Sequence, residues 1–334
     1  MSASRKHARP SVAAITLPAH VDPTDVTGLS AAVDRISPVR VALADVGMLV
    51  RPRITVMVLA TVVTAAWLTA GRSIDPVPLL ALLVGTALVA ASSSVANQIL
   101  ERHSDRLMPR TAGRPLAAGR IDSGVAWWMA AGLGLGGLVL AAAGGGVFAA
   151  VTAAVTWLLY VAVYTPLKRR SPLNTAVGAV PGALPVAIGW FAADGPARFA
   201  AGDAAGTIAT GALGAVLYLW QFPHFMAIAW LYRRHYEHAG MRMLTVTDPT
   251  GARAGIHAVV AALAMVPASL LLAVPSARWP LFVVSAALTA IYLAAAIRFA
   301  ARRDDRSARA LLLVSLAVLL GLLMAALGCG TPPT

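Results

Sequence analysis

Charge is what this chain has least of. Only 12% of its 334 residues are Asp, Glu, Lys or Arg, about half of the roughly one quarter usual in soluble proteins. That scarcity excludes a disordered tail protein, a coiled coil and an ordinary cytosolic enzyme. Lysine is almost missing: Lys6 and Lys168 are the only two, so arginine supplies 25 of the 27 cations. Cysteine is limited to Cys329, which leaves no disulfide framework and no thiolate metal site. Strict apolar–polar alternation is also missing, which argues against a membrane β-barrel.

What is present is apolar length. Uncharged runs cover 54–70, 76–100, 123–167, 171–193, 204–232, 254–277, 279–297 and 310–334. A helix needs about 20 apolar residues to cross the hydrocarbon of a bilayer, so seven of these runs fit one crossing each. The run 123–167 is 45 residues long and is interrupted by Gly144-Gly145-Gly146, so it reads as a hairpin of two crossings. Ala, Leu and Val dominate, and only helices or closed barrels satisfy their backbone inside a membrane. The expectation is an all-α polytopic membrane protein with nine transmembrane helices in one domain, 46–330. Residues 1–45 form a separate N-terminal segment, rich in Pro, Ser and Ala, without a proper signal-peptide core. Residues 1–30 read as disordered, and 31–50 as an interfacial helix leading into the first span.

With nine spans, 19 basic residues fall on one side, from Arg51 and Arg53 to Arg306 and Arg309. Only Arg72, Arg198 and Arg278 fall on the other. The positive-inside rule then makes the N-terminus and the four basic loops cytoplasmic and the C-terminus external, in a bacterial-type inner membrane. The same asymmetry accounts for most of the net charge of +13, so the basic balance is no argument for nucleic acid.

Polar residues gather in three places on that basic side. The first follows span two, where Asn97, Glu101 and Asp105 are spaced i, i+4, i+8. Each step of four drifts only about 40° around a helix, so their oxygens form a rail on one face. Hard oxygen donors of this kind suit Mg2+, which takes one or two carboxylates and leaves its other positions to water and phosphate. Arg110 and Arg114 follow, suited to phosphate oxygens. The competing reading pairs Glu101 and Asp105 with Arg102, Arg106 or Arg110 on a solvated helix end. Asn97 counts against it, because an amide inside an apolar span needs a partner or a task.

The second place closes span four with Tyr160, Tyr164, Lys168, Arg169 and Arg170, followed by Asn174. Asn174 opens a span carrying Gly178, Pro181, Gly182, Pro185 and Gly189. Such a helix breaks easily and lines a cavity. The third follows span six: Trp220-Gln-Phe-Pro223-His224-Phe225, then Tyr232, His235, Tyr236 and Glu237. Pro223 kinks its helix, and His224 is either an intramembrane functional group or a neutral imidazole bonded to a carbonyl. All three places converge over one cavity, open to the cytoplasmic side.

On these residues the sequence resembles the protoheme IX farnesyltransferases of the UbiA-type intramembrane prenyltransferase superfamily. The resemblance runs from about Ala42 to the C-terminus. It is carried by Leu49-Val-Arg51-Pro-Arg-Ile-Thr55, Asn97 to Leu116, Tyr164-Thr-Pro-Leu-Lys168-Arg169, Pro181 to Trp190 and Trp220-Gln-x-Pro-His224-Phe225. It implies transfer of a farnesyl group from farnesyl diphosphate to a vinyl group of haem B, with Mg2+, water completing a hydroxyethylfarnesyl side chain. The product is haem O, on the way to haem A. It further implies that Asn97, Glu101 and Asp105 hold the metal, with Lys168 and Tyr164 beside the chemistry. Arg110, Arg114, Lys168 and Arg169 would hold phosphate or haem propionates. Tyr160, Tyr164 and Trp220 would face the allylic cation, His224 would meet the haem edge or iron, and Asn174, Tyr232, His235 and Tyr236 complete the binding set. Partners implied are farnesyl diphosphate, haem B, the bilayer, and haem A synthase or oxidase assembly proteins.

One position departs from the pattern: His235 stands where these enzymes usually carry Asp. Imidazole is a poor Mg2+ ligand, so Glu237 or Asp248 takes its place, His235 bonds diphosphate directly, or activity falls. The alternatives are a prenyltransferase for a quinone precursor, a non-enzymatic haem-binding protein and a transporter, whose helices are also broken by Gly and Pro.

Overall fold

A computed structural model describes residues 38–329, so the segment 1–30 lies outside the described residues. The described part of the expected interfacial stretch is a helix, α1 (Pro38–Val50). The chain divides into units Met1–Asp45 and Val46–Thr334, and the features that concern function lie in the second. No strand occurs among the described residues.

Helix α2 (Pro52–Ala70) is followed by α3 (Pro76–Arg106) and α4 (Ser123–Leu158). The last continues through a π-helical turn, Leu159–Tyr164, into a final α turn, Thr165–Leu167. Next come α5 (Asn174–Ala183) and α6 (Pro185–Ala192), two halves of one crossing separated at Leu184. Short α7 (Gly195–Ala200) leads to α8 (Ala204–Leu231). Two short helices, α9 (Arg233–His238) and α10 (Leu244–Thr247), precede α11 (Ala252–Ala273), α12 (Trp279–Arg302) and α13 (Asp305–Cys329).

The starts follow local chemistry. Asp75 caps α3 by accepting from the Val77 N–H at 2.9 Å, with Pro76 in the first helical position. Asp122 caps α4 by accepting from Gly124 N at 2.7 Å.

Among the described residues eight helical stretches are long and apolar enough to cross a membrane, and the longest is Ser123–Leu167. It is not one rod. Gly146 has φ 77° and ψ 173°, a conformation open essentially to glycine alone. Contacts on either side show that the chain reverses there. Ser92 of α3 donates to Ala130 O at 2.7 Å and accepts from Trp157 Nε1 at 3.0 Å, so one residue on each arm sits at the same depth. At the far end, Gly144 and Gly145 meet Pro78 and Leu82. The stretch is therefore a hairpin, and the eight stretches make the expected nine crossings of a multi-pass membrane protein.

Small residues bring these helices close. A Cβ on Gly85 would stand 2.5 Å from Ala141 N, and one on Gly137 would stand 2.8 Å from Gly85 O. Close backbone approach of this kind gives membrane helices the van der Waals contact that replaces a hydrophobic drive. The bundle is packed on two sides. One core holds Met226, Trp230, Ala258, Met265, Tyr292 and Phe299 between α8 and α11–α13. Another holds Val62, Leu82, Val89, Ala141, Ala150 and Ile188 around α3 and the hairpin. Between them a cavity is left open.

Candidate active site

The cavity measures about 470 Å³. Along α3 its wall runs from Asp105 to Thr86, nineteen residues or roughly 28 Å at 1.5 Å per residue. Its depth is mostly apolar, with Val58, Val89, Ala153, Trp157, Ile188 and Phe225 on the walls. Its mouth is ionic.

The rail on α3 forms as its spacing predicts, and it is buried. Asn97, Glu101 and Asp105 retain 0%, 7% and 1% of their exposure. Their partners are not the nearby arginines of a solvated helix end. Arg102 donates to Ile99 O, and Arg106 to Ala117 O. Glu101 pairs with Lys168 Nζ at 2.8 Å from the end of the hairpin. Asp105 pairs through Oδ2 with Arg114 at 2.7 Å. Asn97 donates to Thr165 Oγ1 at 3.0 Å and accepts from Arg51 at 3.4 Å.

Arg51 is a site residue that charge counting takes for a topology signal. It sits before Pro52 with φ 49° and ψ 63°, although the residue before a proline ordinarily stays extended. Strain in a non-glycine residue is tolerated where surroundings enforce it, often at a functional site. Here the turn sends the guanidinium to Asn97 and into the cavity wall. Four cations, Arg51, Arg110, Arg114 and Lys168, thus face two carboxylates around the mouth. Burial, and then the Arg51 guanidinium, push the pKa of Arg114 below its ordinary value. Burial works most strongly against the Lys168 ammonium too, but Glu101, Tyr164 and Tyr160 together outweigh it and hold the pKa above the usual lysine range. Both groups remain cations, and the excess of positive charge invites an anionic head group.

Two tyrosines lie just inside. The π-helical turn carries Tyr160 and Tyr164, rings 5.5 Å apart and both on the cavity wall. Such turns are rare and recur at functional sites. Lys168 Nζ stands 4.5 Å over the Tyr164 ring. Across the mouth, Arg110 lies 4.5 Å over the Tyr232 ring and donates to Tyr236 Oη at 3.4 Å. Tyr236 lines the cavity; Tyr232 supports Arg110 from behind.

Other expected residues are not among those that line the cavity. Trp220 donates to Ser315 O at 2.7 Å and stacks on His224, whose Nδ1 is 2.8 Å from Ser315 Oγ. Both therefore face α13, on the other side of α8. Arg169 is exposed. Asn174 donates to Ser171 O and Arg242 O, and Arg242 N donates to Lys168 O at 2.7 Å. It holds the segment that carries Lys168 without touching the cavity. His235 stacks against Tyr232 with rings 5.9 Å apart, and its Nδ1 has no partner among the described residues. Neither suggested replacement reaches the wall: Glu237 is exposed, and Asp248 accepts from Thr250 and from Arg253 N at the start of α11.

For a hard dication the donor set at the mouth is two carboxylates, Glu101 and Asp105, with the Asn97 amide oxygen set behind them and accepting from Arg51. Asp105 Oδ1 is buried with no hydrogen-bond partner, an acceptor left open beside the Arg114 pair. That set fits one Mg2+ whose remaining positions go to phosphate and water. Among the described residues no group of three His, Cys, Asp or Glu gathers anywhere, the mouth included.

An ionic mouth on an apolar shaft inside a membrane bundle makes this a polytopic membrane protein whose cavity suits a molecule with an anionic head and a long apolar tail. The chain belongs to the UbiA prenyltransferase family, which residues 58–323 match. It is 39% identical over 284 residues to the protoheme IX farnesyltransferase of Rhodopirellula baltica, covering 83% of this chain and 96% of that protein. With that of Solibacter usitatus it shares 37% over 277 residues, covering 80% and 92%. Among solved structures it resembles a digeranylgeranylglyceryl phosphate synthase, with a TM-score of 0.68 and 17% identity over 86% of this chain and 98% of that one. It also resembles a UbiA homologue from Archaeoglobus fulgidus bound to GPP and Mg2+, with a TM-score of 0.58 and 17% identity over 85% and 99%. At such identities these structures establish the fold.

Proposed function

We propose that this protein is a haem B farnesyltransferase. It moves the farnesyl group of farnesyl diphosphate to a vinyl carbon of haem B and yields haem O for haem A synthesis. The observation that carries the reading is the buried Asn97–Glu101–Asp105 rail, ringed by Arg51, Arg110, Arg114 and Lys168, at the mouth of a shaft roughly 28 Å deep. A diphosphate head fits the mouth and an isoprenoid tail fits the shaft.

Ionising an allylic diphosphate requires that the charge growing on the leaving group be met by fixed opposite charge. Arg110 and Arg114 donate to phosphate oxygens, and Lys168, oriented by Glu101 and the Tyr164 ring, adds a third cation. Asn97, Glu101 and Asp105 would hold Mg2+, which supplies further neutralisation of diphosphate when bound. Tyr160 and Tyr164 offer π faces to the allylic cation, and the apolar shaft delays its capture by water. Haem B approaches from the mouth, where cations left over by the diphosphate meet its propionates. Asn174, Tyr232 and His235 support this arrangement from outside the cavity wall, while Trp220 and His224 pack α8 against α13 and Arg169 stays exposed. The basic loops face the cytoplasm of a bacterial-type inner membrane, and haem O passes to the enzymes that complete haem A.

The test is purified protein in detergent with haem B, farnesyl diphosphate and Mg2+, followed by mass spectrometry of the extracted haem. A species heavier by one farnesyl and one hydroxyl group, absent without Mg2+, is the expected result. Unmodified haem together with a prenylated quinone precursor would transfer the reading to another acceptor.

A further inference from the structure

Among the polar groups that the mechanism above leaves without a task, the only amide on the shaft wall among the described residues is Gln221. Gln221 is in α8, inside the membrane, and it lines the cavity at 6% exposure. Its Nε2 donates to two backbone carbonyls, Ala179 O and Leu217 O, both at 3.0 Å. Two acceptors fix which end of the amide is nitrogen, since an oxygen there would face two carbonyls. The other end, Oε1, has no hydrogen-bond partner and is not sealed off. It meets Gly182 of α5, where a Cβ would collide with it. Glycine at 182 therefore makes room for this oxygen. A polar group held this way in hydrocarbon costs free energy unless it has a partner or a role.

Depth says which role. Gly178 abuts the Tyr164 ring, and Gly182, four residues further, abuts Gln221. The amide oxygen is thus about one helical turn, roughly 6 Å, below the aromatic pair. Going inward, the order is Glu101–Lys168, then Tyr164, then Gln221. With diphosphate at the mouth, the allylic carbon and the vinyl group it joins come to the level of Tyr164 and Gln221.

We propose that Gln221 Oε1 positions the water that ends the reaction. This rests on the haem farnesyltransferase reading. The allylic carbon–oxygen bond breaks, diphosphate leaves with the electron pair, and the terminal vinyl carbon bonds the allylic carbon. A cation remains on the inner vinyl carbon. Water, accepted as a hydrogen-bond donor by Gln221 Oε1, adds its oxygen there and gives its spare proton to the released diphosphate. An amide oxygen is too weak a base to take that proton, so its contribution is orientation. Without it, the cation loses a proton from the neighbouring methylene to diphosphate, and the product is an alkene lighter by one water.

The product ratio tests this. Wild-type protein in heavy-oxygen water, with haem B, farnesyl diphosphate and Mg2+, is expected to give labelled hydroxyethylfarnesyl haem as the main species. Gln221→Leu is expected to raise the alkene-to-hydroxyl ratio roughly tenfold, the loss of one well-placed hydrogen bond. Gly182→Ala keeps the amide but displaces its oxygen, and moves the ratio in the same direction as Gln221→Leu, so it decides the matter if Gln221→Leu does not fold. A wild-type ratio in Gly182→Ala, or in folded Gln221→Leu, overturns the role of Gln221 and leaves farnesyl transfer standing. Absence of any farnesylated haem from the wild-type protein overturns the underlying reading as well.

Discussion

The polar loops after the second and the sixth crossing use their residues differently. After the second, nearly every expected residue reaches the cavity: Glu101, Asp105, Arg110 and Arg114 line it, and Asn97 bonds Arg51, which does. After the sixth, only Tyr236 lines it among the residues Tyr232 to His238, while Tyr232 backs Arg110 and His235 backs Tyr232. One loop carries the ionic groups, and the other aims one of them. Two motifs of similar polarity thus do unequal work, because a carboxylate rail is buried on the first and no acid from the second reaches the wall.

Six substitutions sharpen or break that contrast. The largest effect is expected from Asp105→Asn or Glu101→Gln, which remove the acidic donors. A fall in kcat of about 100- to 1000-fold is expected in the haem assay, the scale of losing one preorganised electrostatic group. A mild effect would mean that the sixth-crossing loop carries the charge chemistry after all. Lys168→Met leaves Glu101 buried and unpaired, with an expected loss of roughly 3–5 kcal/mol of stability, read as a lowered Tm in detergent. Arg110→Met should raise KM for farnesyl diphosphate about tenfold, while Tyr232→Leu, which removes only the π support, should raise it about two- to fivefold. The smallest change is His235→Asp, which gives the second loop an acid. A lower Mg2+ requirement in a metal titration is expected; an unaltered titration would mean that position 235 has no say in metal binding.

Much of this was legible in the residues. Uncharged runs bounded by arginine marked the crossings, and three consecutive glycines marked the hairpin, because only glycine takes φ 77° with ψ 173°. The rail was legible because i, i+4, i+8 spacing is a statement about one helix face. The azimuth of α8 was not. It is apolar all round, packed on α13 on one side and facing the cavity on the other, so periodicity does not say which face Trp220 and His224 occupy. The structure turns both toward Ser315 and turns Gln221, Phe225 and Ile228 inward. Arg51 was hidden for a different reason: its entry into the site depends on a left-handed backbone before proline, which propensity argues against.

The one-residue reversal at Gly146 also has a bearing on tolerance to change. The returning arm runs from there to Lys168, twenty-two residues or roughly 33 Å of helix, so the ammonium that faces Glu101 is indexed from the opposite face of the membrane. One residue added to that arm would swing its cytoplasmic end by about 100° and carry Lys168 away from Glu101. The far turn is a datum, and the length of the arm beyond it sets the ionic mouth as much as the lysine at its end does.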